Sequence, residues 1–292
     1  MAGHARFDVG LIGTGIADSL SPALHEREAR CLGLDYGYRL FDLDELGREP
    51  EEVGALVREA RDRGLCGLNV THPCKQLVVP ELDELSPEAA ALGAVNTIVF
   101  TGDRLVGHNT DTTGFQAAFE RGLPGAPVGE VVLIGAGGAG SAVGHAALAL
   151  GAGHVTVLDV ERDRARGLVA ALTSRFGAAR ATAGDPDAIG HLLARADGLI
   201  HATPTGMAPY PGTAVPVDML HRRLWVAEVV YVPVETELLH GARTRGCRTL
   251  SGAAMVALQA AGSMELFTGA RPNRERMLRH VDALVAARRQ AA

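Results

Sequence analysis

The sequence predicts an α/β protein with two domains, the second built on a doubly wound parallel sheet. Its 292 residues match roughly two average domains, and 47% of them are hydrophobic, which is enough for a sizeable core. Short apolar runs with strand character alternate with helical patterns along most of the chain. The apolar run 131–134 leads directly into a glycine-rich turn and a helix of small residues, an order typical of parallel α/β sheets.

The first third of the chain has the signals of a small α/β unit. The expected elements are a strand over residues 7–12, a helix from Pro22, a strand over 36–41, a helix over 51–61 and a strand over 65–70. Residues 94–100 and 104–108 flank Thr101-Gly-Asp103, which predicts two strands joined by a tight turn. A cluster of Pro and Gly at 124–129, just before a fresh apolar run, indicates a domain boundary.

The second segment repeats the strand pattern, and the last segment is helical. Strands are expected at 131–134, 155–159, 198–202 and 226–230. Because helical patterns separate them, a parallel and doubly wound sheet is favoured. After Leu250 the pattern is helical to the end of the chain, with Gly252, Met255 and Gln259 spaced to share one helix face.

Composition argues against several classes of function. The formal net charge is −6 and the arginines are spread along the chain, which argues against a nucleic-acid partner. No apolar run approaches the length of a membrane span and the N-terminus lacks a targeting pattern, so we expect a cytoplasmic protein without a membrane partner. The four cysteines are scattered and the eleven histidines dispersed, so we expect neither a zinc site nor a disulfide scaffold.

The run Gly135-Ala-Gly-Gly-Ala-Gly140 satisfies the pattern G-x-G-x-x-G. Such glycines allow a tight turn and bring backbone amides to a pyrophosphate at the positive end of a helix, whereas the alternative is a close helix crossing without a ligand. Asp159 favours the dinucleotide, because an acidic side chain about 20 residues on can accept both ribose hydroxyls of NAD. A carboxylate there also repels the extra phosphate of NADP, so NAD is predicted, while Arg164 leaves a contact with such a phosphate open.

Among the 28 Lys and Arg residues of the chain, Lys75 is the only lysine. Arginine stays protonated, whereas a lysine amine can be tuned to give and take a proton. Lys75 is therefore the first candidate for proton transfer, and the alternative is a surface lysine left by a codon bias toward arginine. The neighbouring Cys74 is a weaker candidate for a nucleophile, because no paired His and orienting group lie within sequence reach.

Five short motifs occur in order across nearly the whole chain. They are Gly67-Leu-Asn-Val-Thr-His-Pro-Cys-Lys75, Gly93-Ala-Val-Asn-Thr97, Asn109-Thr-Asp-Thr-Thr-Gly-Phe115, Ala202-Thr-Pro-Thr-Gly-Met207, and Gln259 with Thr268-Gly269. Together they resemble the shikimate dehydrogenase family. The resemblance is closest to the NAD-dependent quinate/shikimate dehydrogenase branch, because Asp159 and Val160 stand where NADP-using members typically carry Asn and Arg.

The resemblance implies a role for each motif. Lys75 would take the hydroxyl proton as hydride leaves the same carbon, and Asp111 would lie within reach of that hydroxyl, with a helix N-cap as its alternative role. The implied substrate contacts are Ser19, Ser21, Thr71, Asn96, Tyr231 and Gln259. The implied cofactor contacts are Gly135, Ala136, Gly137, Gly138, Ala139, Asp159, Arg164, Thr203, Pro204, Met207, Val229 and Gly252.

Ser19 and Ser21 are implied to bind a carboxylate at the start of a helix, where the amide dipoles favour an anion. The alternative is that Ser21 simply N-caps this helix, with Pro22 at its first position. Two departures from the family pattern concern the loops: residues 14–18 stand where many members have a Pro-Ile-x-His stretch, and Ser251 stands where the family often has an Asp.

The sequence therefore predicts a two-domain dehydrogenase whose small-molecule substrate, shikimate or quinate, binds in the cleft between the domains. Residues 1–113, with 246–292 returning, are expected to bind the polyol acid, and residues 114–245 to bind NAD. Aminoshikimate and aminoquinate are alternative substrates of the same enzyme type. A different class is a non-catalytic sensor of NAD or a shikimate-like acid. The family includes monomers and dimers, so a monomer or a homodimer is expected.

Overall fold

The computed structural model describes residues 6–207 and 209–291, which form two compact units. The first unit contains the residues up to Thr110 and those from Val256 onward, and the second contains the residues between them. The strands are β1 (Phe7–Gly13), β2 (Tyr36–Asp42), β3 (Gly67–Val70), β4 (Glu84–Leu85), β5 (Thr97–Thr101), β6 (Arg104–His108), β7 (Glu130–Ile134), β8 (His154–Leu158), β9 (Ala181–Ala183), β10 (Gly198–His201), β11 (Trp225–Glu228) and β12 (Arg248–Leu250). The helices are α1 (Ser21–Leu32), α2 (Leu43–Leu46), α3 (Val53–Asp62), α4 (Cys74–Leu77), α5 (Pro87–Leu92), α6 (Asp111–Gly122), α7 (Gly138–Ala149), α8 (Arg162–Phe176), α9 (Ile189–Arg195), α10 (Glu237–Thr244), α11 (Gly252–Thr268) and α12 (Arg274–Ala291).

The unit boundaries differ from the predicted domain limits. The first boundary lies at the start of α6 instead of after residue 113, because α6 packs along α7. The second lies inside α11 instead of at 246, because β12 pairs with β11 in the sheet of the second unit. The Pro- and Gly-rich residues 124–129 join α6 to β7 within the second unit and do not mark a domain boundary.

The first unit is built on a sheet in the order β2-β1-β3-β5-β6-β4. β2, β1 and β3 are parallel, whereas β5 runs antiparallel to both β3 and β6. Thr97 at the start of β5 therefore lies opposite Asn69 near the end of β3 and opposite His108 at the end of β6. Consequently the loops after β1, β3 and β6, and the loop before β5, all leave the sheet at one edge.

Apolar side chains cover both faces of this sheet. Val9 and Leu11 of β1 join one cluster and Ile12 joins the other, as expected from the alternation of side chains along a strand. One cluster contains Leu56 of α3, and the other contains Phe267 of α11. The C-terminal part of the chain therefore supplies part of the core of the first unit.

A buried ion pair joins α1 to α12 within the first unit. The Glu28 carboxylate is almost fully buried and accepts hydrogen bonds from both Nε and Nη2 of Arg276, at 2.7 and 2.5 Å. The backbone amide of Asn273 adds a third hydrogen bond at 2.7 Å. These contacts satisfy the buried carboxylate, as burial of a charge requires.

The second unit has a fully parallel sheet in the order β12-β11-β10-β7-β8-β9. The chain enters this sheet at β7, builds outward through β8 and β9, and then crosses to β10 on the other side of β7. The strand order reverses between β7 and β10, and ligands of open α/β sheets bind at the carboxyl ends of the strands at such a point.

Trp225, the first residue of β11, packs at the amino ends of the strands β10 and β11. Its ring lies against Gly198 of β10, where a side chain would collide with it. The ring packs edge-on against Phe119 at 4.9 Å between centroids, and the indole N–H donates to the Pro127 carbonyl at 2.7 Å. The tryptophan thus fixes the loop between α6 and β7 to the sheet.

The α/β class and the doubly wound second sheet are confirmed, and the predicted strand pair appears as antiparallel β5 and β6. The sequence analysis missed β4, β9 and β12, which have only two or three residues each and so show no period of two. Among the described residues, no helix combines the length and apolarity needed to cross a membrane.

Candidate functional site

Three predicted substrate residues lie in or directly after loops at one edge of the first sheet. Thr71 directly follows β3, and its amide donates to the carbonyl of Ile12 at 2.9 Å. The amide of Thr14 donates to the carbonyl of His72 at 3.1 Å, so the loops after β1 and β3 are bonded to each other. Ser19 lies near the end of the loop that begins at Thr14, and Ser21 is the first residue of the helix that follows it.

The start of α1 does not have the predicted cap. Helix α1 begins at Ser21, with Leu20 as the capping residue and no side-chain cap. The interpretation that Ser21 is an N-cap is therefore wrong. Instead the Ser19 hydroxyl oxygen accepts the amide of Ser21 at 3.2 Å, and the Ser21 side chain is buried. Both serines are held by the first turn of α1.

Asp42 holds the loop that leads to these serines. Its carboxylate accepts the backbone amides of Gly15 and Ile16 at 3.1 and 2.7 Å, and it also accepts the amide of Asp44. Sequence analysis did not single out Asp42. A signal was available, because an acidic residue at the carboxyl end of a strand parallel to β1 lies beside the loop after β1 and can bind its amides.

Lys75 lies in α4, directly after the loop that follows β3, and its side chain is half-buried. The carbonyl of Lys75 accepts the amide of Val95 at 2.8 Å, which joins this short helix to the segment before β5. Its neighbour Cys74 is fully buried, and burial raises the pKa of the Cys74 thiol to about 11. A thiol with such a pKa is a poor nucleophile, so the structure argues against the alternative based on Cys74.

Asn96 is the centre of a buried hydrogen-bond network at the same edge. Its Oδ1 accepts the amide of Thr110 and the hydroxyl of Thr97, both at 2.9 Å. Because an amide N–H can only donate, these bonds fix the orientation of the Asn96 side chain. Its Nδ2 then donates to the Thr110 hydroxyl at 2.9 Å and to Oε1 of Gln259 at 3.4 Å.

A second layer of polar side chains supports Asn96 from inside the sheet. Asn69 donates to the Asn96 carbonyl and to the Thr97 hydroxyl, at 3.2 and 3.1 Å. Its own Oδ1 accepts the hydroxyl of Tyr38 at 2.9 Å. Thus the predicted contacts Asn96 and Gln259 belong to one network that is bonded through three strands.

Two other predicted residues belong to the second unit. Asp111 is the first residue of α6 and is buried, and Tyr231 follows β11 and is half-buried. Lys75 and Asp111, the two residues predicted to act on one hydroxyl, are therefore assigned to different units.

The glycine motif forms the turn between β7 and α7. Gly135 has a φ of +102°, which strongly favours glycine, and α7 begins at Gly138 with Gly137 as its capping residue. A Cβ on Gly135 would lie 2.6 Å from the Ala202 carbonyl oxygen, and a Cβ on Gly140 would collide with the backbone of Gly135. The turn therefore packs closely against the backbone of Ala202, and a side chain at either glycine would force it to shift.

Asp159 follows β8, next to the glycine turn. Its Oδ2 accepts the amide of Ala136 at 2.7 Å and its Oδ1 accepts the amide of Glu161 at 2.8 Å. Each carboxylate oxygen can accept more than one hydrogen bond, so both can still accept ribose hydroxyls. Val160 is 91% exposed and Arg164 is exposed on α8.

Other predicted cofactor contacts follow β10 and β11. Thr203 and Pro204 come directly after β10, and Met207 donates its amide to the Pro204 carbonyl at 3.0 Å. Gly252 opens α11 at close range to the carbonyl of Val229, where a Cβ would collide with the backbone. The close approach of α11 to the backbone after β11 therefore explains why a glycine stands at position 252.

A family model described as the shikimate dehydrogenase substrate binding domain matches residues 11–98, and one for the C-terminal domain of alanine dehydrogenase/PNT matches residues 108–221. A shikimate dehydrogenase (NADP(+)) of Streptomyces avermitilis is 60% identical over 276 residues, which is 94% of this chain and 95% of that protein. The chain belongs to the shikimate dehydrogenase family.

Other members of the shikimate dehydrogenase family differ in their named cofactor. A quinate/shikimate dehydrogenase (NAD(+)) of Corynebacterium efficiens is 44% identical, covering 94% of this chain and 97% of that protein. The solved quinate dehydrogenase of Corynebacterium glutamicum in complex with NAD has a TM-score of 0.85 and 41% identity, covering 94% of this chain and 98% of that one. Membership of the family makes the chain an oxidoreductase.

Two strand-end residues of this family member were missed by sequence analysis. His201 ends β10 and Glu228 ends β11, and the two residues are paired in register. Their side chains are buried and hydrogen-bonded at 2.8 Å. The signal was present, because polar residues at the carboxyl ends of neighbouring parallel strands lie side by side. In residues 6–207 and 209–291, no three His, Cys, Asp or Glu side chains are grouped as a metal site requires.

Proposed function

We propose that this chain is an NAD-dependent dehydrogenase that reversibly oxidises a ring hydroxyl of shikimate, quinate or both, giving 3-dehydroshikimate or 3-dehydroquinate. The observation that carries the proposal is the set of polar side chains and Lys75 at one edge of the first sheet, in a chain whose second unit has a dinucleotide-type glycine turn. The names of the relatives from both Corynebacterium species support both the substrates and the cofactor.

The polar network of the first unit is suited to a polyol. Oε1 of Gln259 accepts hydrogen bonds from Asn96 and Thr110, both at 3.4 Å, so its NH₂ group is the part that can donate to a ring oxygen. Thr71 adds a hydroxyl from the loop after β3. In our proposal Ser19 and Ser21 bind the carboxylate at the start of α1, where the helix dipole favours an anion, and Tyr231 lines the substrate pocket.

The proton step is assigned to Lys75. Oxidation of a secondary alcohol removes the hydroxyl proton as hydride leaves the same carbon, so a base must contact that oxygen. In its neutral form the Lys75 amine takes this proton, and in the reverse direction the ammonium returns it. Asp111 is proposed to lie within reach of the same hydroxyl, so that the Lys75 amine and the substrate oxygen are held in one hydrogen-bonded cluster and the hydroxyl proton points to the amine. A bound nicotinamide supplies the hydride acceptor.

The glycine turn of the second unit fits a dinucleotide. The turn has no side chain at Gly137 or Gly138, and the first amides of α7 have no partner within the helix, so they can bind a pyrophosphate. The side chains of Ala136 and Ala139 in this segment are only methyl groups, so they take up little space beside a bound pyrophosphate. Residues Thr203, Pro204, Met207 and Val229 follow the strands on the other side of the switch point and are proposed to contact the nicotinamide half.

Asp159 is the basis for proposing NAD. Its carboxylate is held by two backbone amides, and a negative charge at this position repels a 2′-phosphate. A second candidate is NADP dependence, which is favoured by the name of the relative with 60% identity. In that case the exposed guanidinium of Arg164 would bind the phosphate.

The experiment measures initial rates by nicotinamide absorbance, with shikimate and quinate each tested against NAD and NADP. We expect turnover with NAD and little with NADP. Turnover with NADP alone would replace the first candidate by the second. No turnover in any combination, with dinucleotide binding retained, would contradict both candidates and direct the test to aminoshikimate and aminoquinate first. Failure with these as well would favour a sensor.

A pair of variants separates the two cofactor candidates. Asp159→Asn removes the negative charge but keeps one oxygen, so the ratio of NAD to NADP efficiency should fall by about tenfold if Asp159 selects NAD. Arg164→Ala should leave that ratio unchanged in this case. A loss of NADP efficiency in Arg164→Ala, with no change in Asp159→Asn, would contradict the assignment to Asp159.

A further inference from the structure

His201 and Glu228 form a buried pair beneath the loop that follows β10. The His201 side chain is 1% exposed and the Glu228 side chain is fully buried. Nδ1 of His201 lies 2.8 Å from Oε1 of Glu228, and Nε2 lies 2.5 Å from the hydroxyl oxygen of Thr203. The ring therefore joins a buried carboxylate to a half-buried hydroxyl.

The surroundings of Glu228 require it to act only as an acceptor. Its Oε1 also accepts the amide of Val230 at 3.2 Å, and its Oε2 accepts the hydroxyl of Thr236 at 3.1 Å. The Thr236 hydroxyl in turn accepts the amide of Leu239, so its single proton is directed to Glu228. A carboxylate with these partners needs a proton on Nδ1 of His201. When the ring carries this proton alone, its Nε2 is an acceptor.

The state of the ring determines what Thr203 can do. With a proton on Nδ1 alone, Nε2 of His201 accepts the proton of the Thr203 hydroxyl, whose oxygen also accepts the amide of Thr205 at 3.3 Å. One lone pair remains, so Thr203 can meet a ligand only as a hydrogen-bond acceptor. Thr203 lies at the switch point of the second sheet, where a Cβ on Gly135 would be 2.9 Å from its methyl group.

We infer that His201 and Glu228 are positioning residues that fix Thr203 as an acceptor for a hydrogen-bond donor of the bound dinucleotide. The inference rests on the proposed function, which supplies the ligand. A nicotinamide dinucleotide offers two kinds of donor at its redox end, the carboxamide N–H and the ribose O–H. Either group can donate a hydrogen bond to the remaining lone pair of the Thr203 hydroxyl.

The first test measures dinucleotide affinity by isothermal titration calorimetry, using whichever of NAD and NADP the unaltered chain binds. Thr203→Val removes the acceptor but keeps the shape, so the Kd should rise about fivefold to tenfold, as for one lost hydrogen bond. Thr203→Ser should restore the affinity. The matched control is Thr182→Val in β9, whose hydroxyl also contacts a His ring nitrogen, Nε2 of His154, but at an exposed position. The control should not change the Kd.

An analogue identifies the donor. In the acetylpyridine analogue of the dinucleotide a methyl group replaces the carboxamide NH₂. If the carboxamide is the donor, Thr203→Val and the unaltered chain should bind this analogue equally. If a ribose hydroxyl is the donor, the variant should weaken binding of the analogue and of the parent dinucleotide alike. Unchanged affinity of Thr203→Val for both molecules would overturn the inference.

The second test reads the protonation of the ring directly. In ¹⁵N spectra of histidine-labelled protein, the His201 signals, assigned by their absence in His201→Asn, should show a protonated Nδ1 and an unprotonated Nε2 at neutral pH. Glu228→Gln should lower the share of this form and weaken dinucleotide binding in parallel. A proton on Nε2 in the unaltered chain would overturn the inference even if Glu228→Gln failed to fold. Failure of the unaltered chain to bind either dinucleotide would instead contradict the proposed function.

Discussion

The two units differ in what forms the candidate site of each. In the second unit the site is mostly backbone: a glycine turn, the first amides of α7 and one carboxylate that holds the turn. In the first unit the site is a network of side chains from five segments, held together by Asn96. A site formed by backbone can therefore be recognised from glycine spacing and one acidic residue, whereas a site formed by side chains depends on residues brought together from distant parts of the chain.

The largest effect is expected from replacing Lys75, the side chain to which we assign the proton transfer. Lys75→Ala should lower kcat by about a thousandfold, since general acid–base catalysis typically contributes that much. Dinucleotide affinity, measured by calorimetry, should survive because Lys75 belongs to the first unit. The control is Cys74→Ala, which alters the neighbouring buried thiol and should keep most of the activity. A near-normal rate for Lys75→Ala would remove the central assignment.

The next effect concerns the backbone site. A Cβ at Gly140 would collide with the Gly135 backbone, so Gly140→Ala must shift the glycine turn. We expect dinucleotide affinity to fall by about a hundredfold, because a lost hydrogen bond to a charged pyrophosphate costs up to about 3 kcal/mol. Gly137→Ala is the matched control for folding, because its Cβ would have no neighbour within 4 Å and its backbone is extended. Only Gly140→Ala should lower the melting temperature; equal affinity of this variant and the unaltered chain would contradict the role of the turn.

A smaller effect is expected when one hydrogen-bond donor of the side-chain network, the NH₂ group of Asn96, is replaced by an acceptor. Asn96→Asp keeps the oxygen that accepts the Thr110 amide but removes the NH₂ group that donates to Gln259. The KM for shikimate or quinate should rise about tenfold, with the KM for the dinucleotide unchanged, since one donor to the network is replaced by an acceptor. Asn273→Asp provides a matched control in the same unit, because its side-chain oxygen caps the Arg276 amide and Asp caps a helix equally well. A rise in both KM values would contradict the proposal that the Asn96 network binds the substrate and not the dinucleotide.

The smallest effect concerns the acid stability of the first unit. Burial lowers the pKa of His25 from 6.5 to about 3. The unfolded chain therefore binds a proton below pH 6.5 that the folded chain does not, so the free energy of unfolding should fall as the pH drops from 6.5 toward 3. The slope from this site approaches about 1.4 kcal/mol per pH unit.

Urea unfolding at pH 7 and pH 5 checks this prediction. His25→Phe keeps an aromatic ring beside Tyr38, which packs against His25 at 4.8 Å between centroids, and it should reduce the loss of stability between the two pH values. His191→Phe, at an exposed position, serves as the control and should keep the loss of the unaltered chain. An identical pH dependence in all three proteins would contradict the prediction.

Much of the fold could be predicted because long apolar runs and glycine spacing act locally. The strand before Gly135 and the position of Asp159 both follow from short stretches of sequence, and the structure bonds Asp159 to the turn through the Ala136 amide. The three short strands were missed because their pairing is decided by neighbouring strands, which the local pattern does not reveal.

The candidate site was less accessible to sequence reasoning. Ser21 was considered as an N-cap because Pro22 follows it, but the chain starts the helix at Ser21 itself and uses Ser19 to bind its amide. Asp42 and Glu228 were overlooked because their partners lie 26 to 27 positions away along the chain. An acidic residue at the carboxyl end of a parallel strand is the general signal that was available for both.

The position of Trp225 makes the two units separable in an optical measurement. It is the only tryptophan of the chain, and its contacts with Gly198, Phe119 and Pro127 all lie in the second unit. Tryptophan fluorescence therefore reports the unfolding of that unit, whereas far-ultraviolet circular dichroism reports helices and strands of both. Coincident transitions in a denaturant titration would mean that the units melt as one cooperative body, and separate transitions would give each unit its own stability.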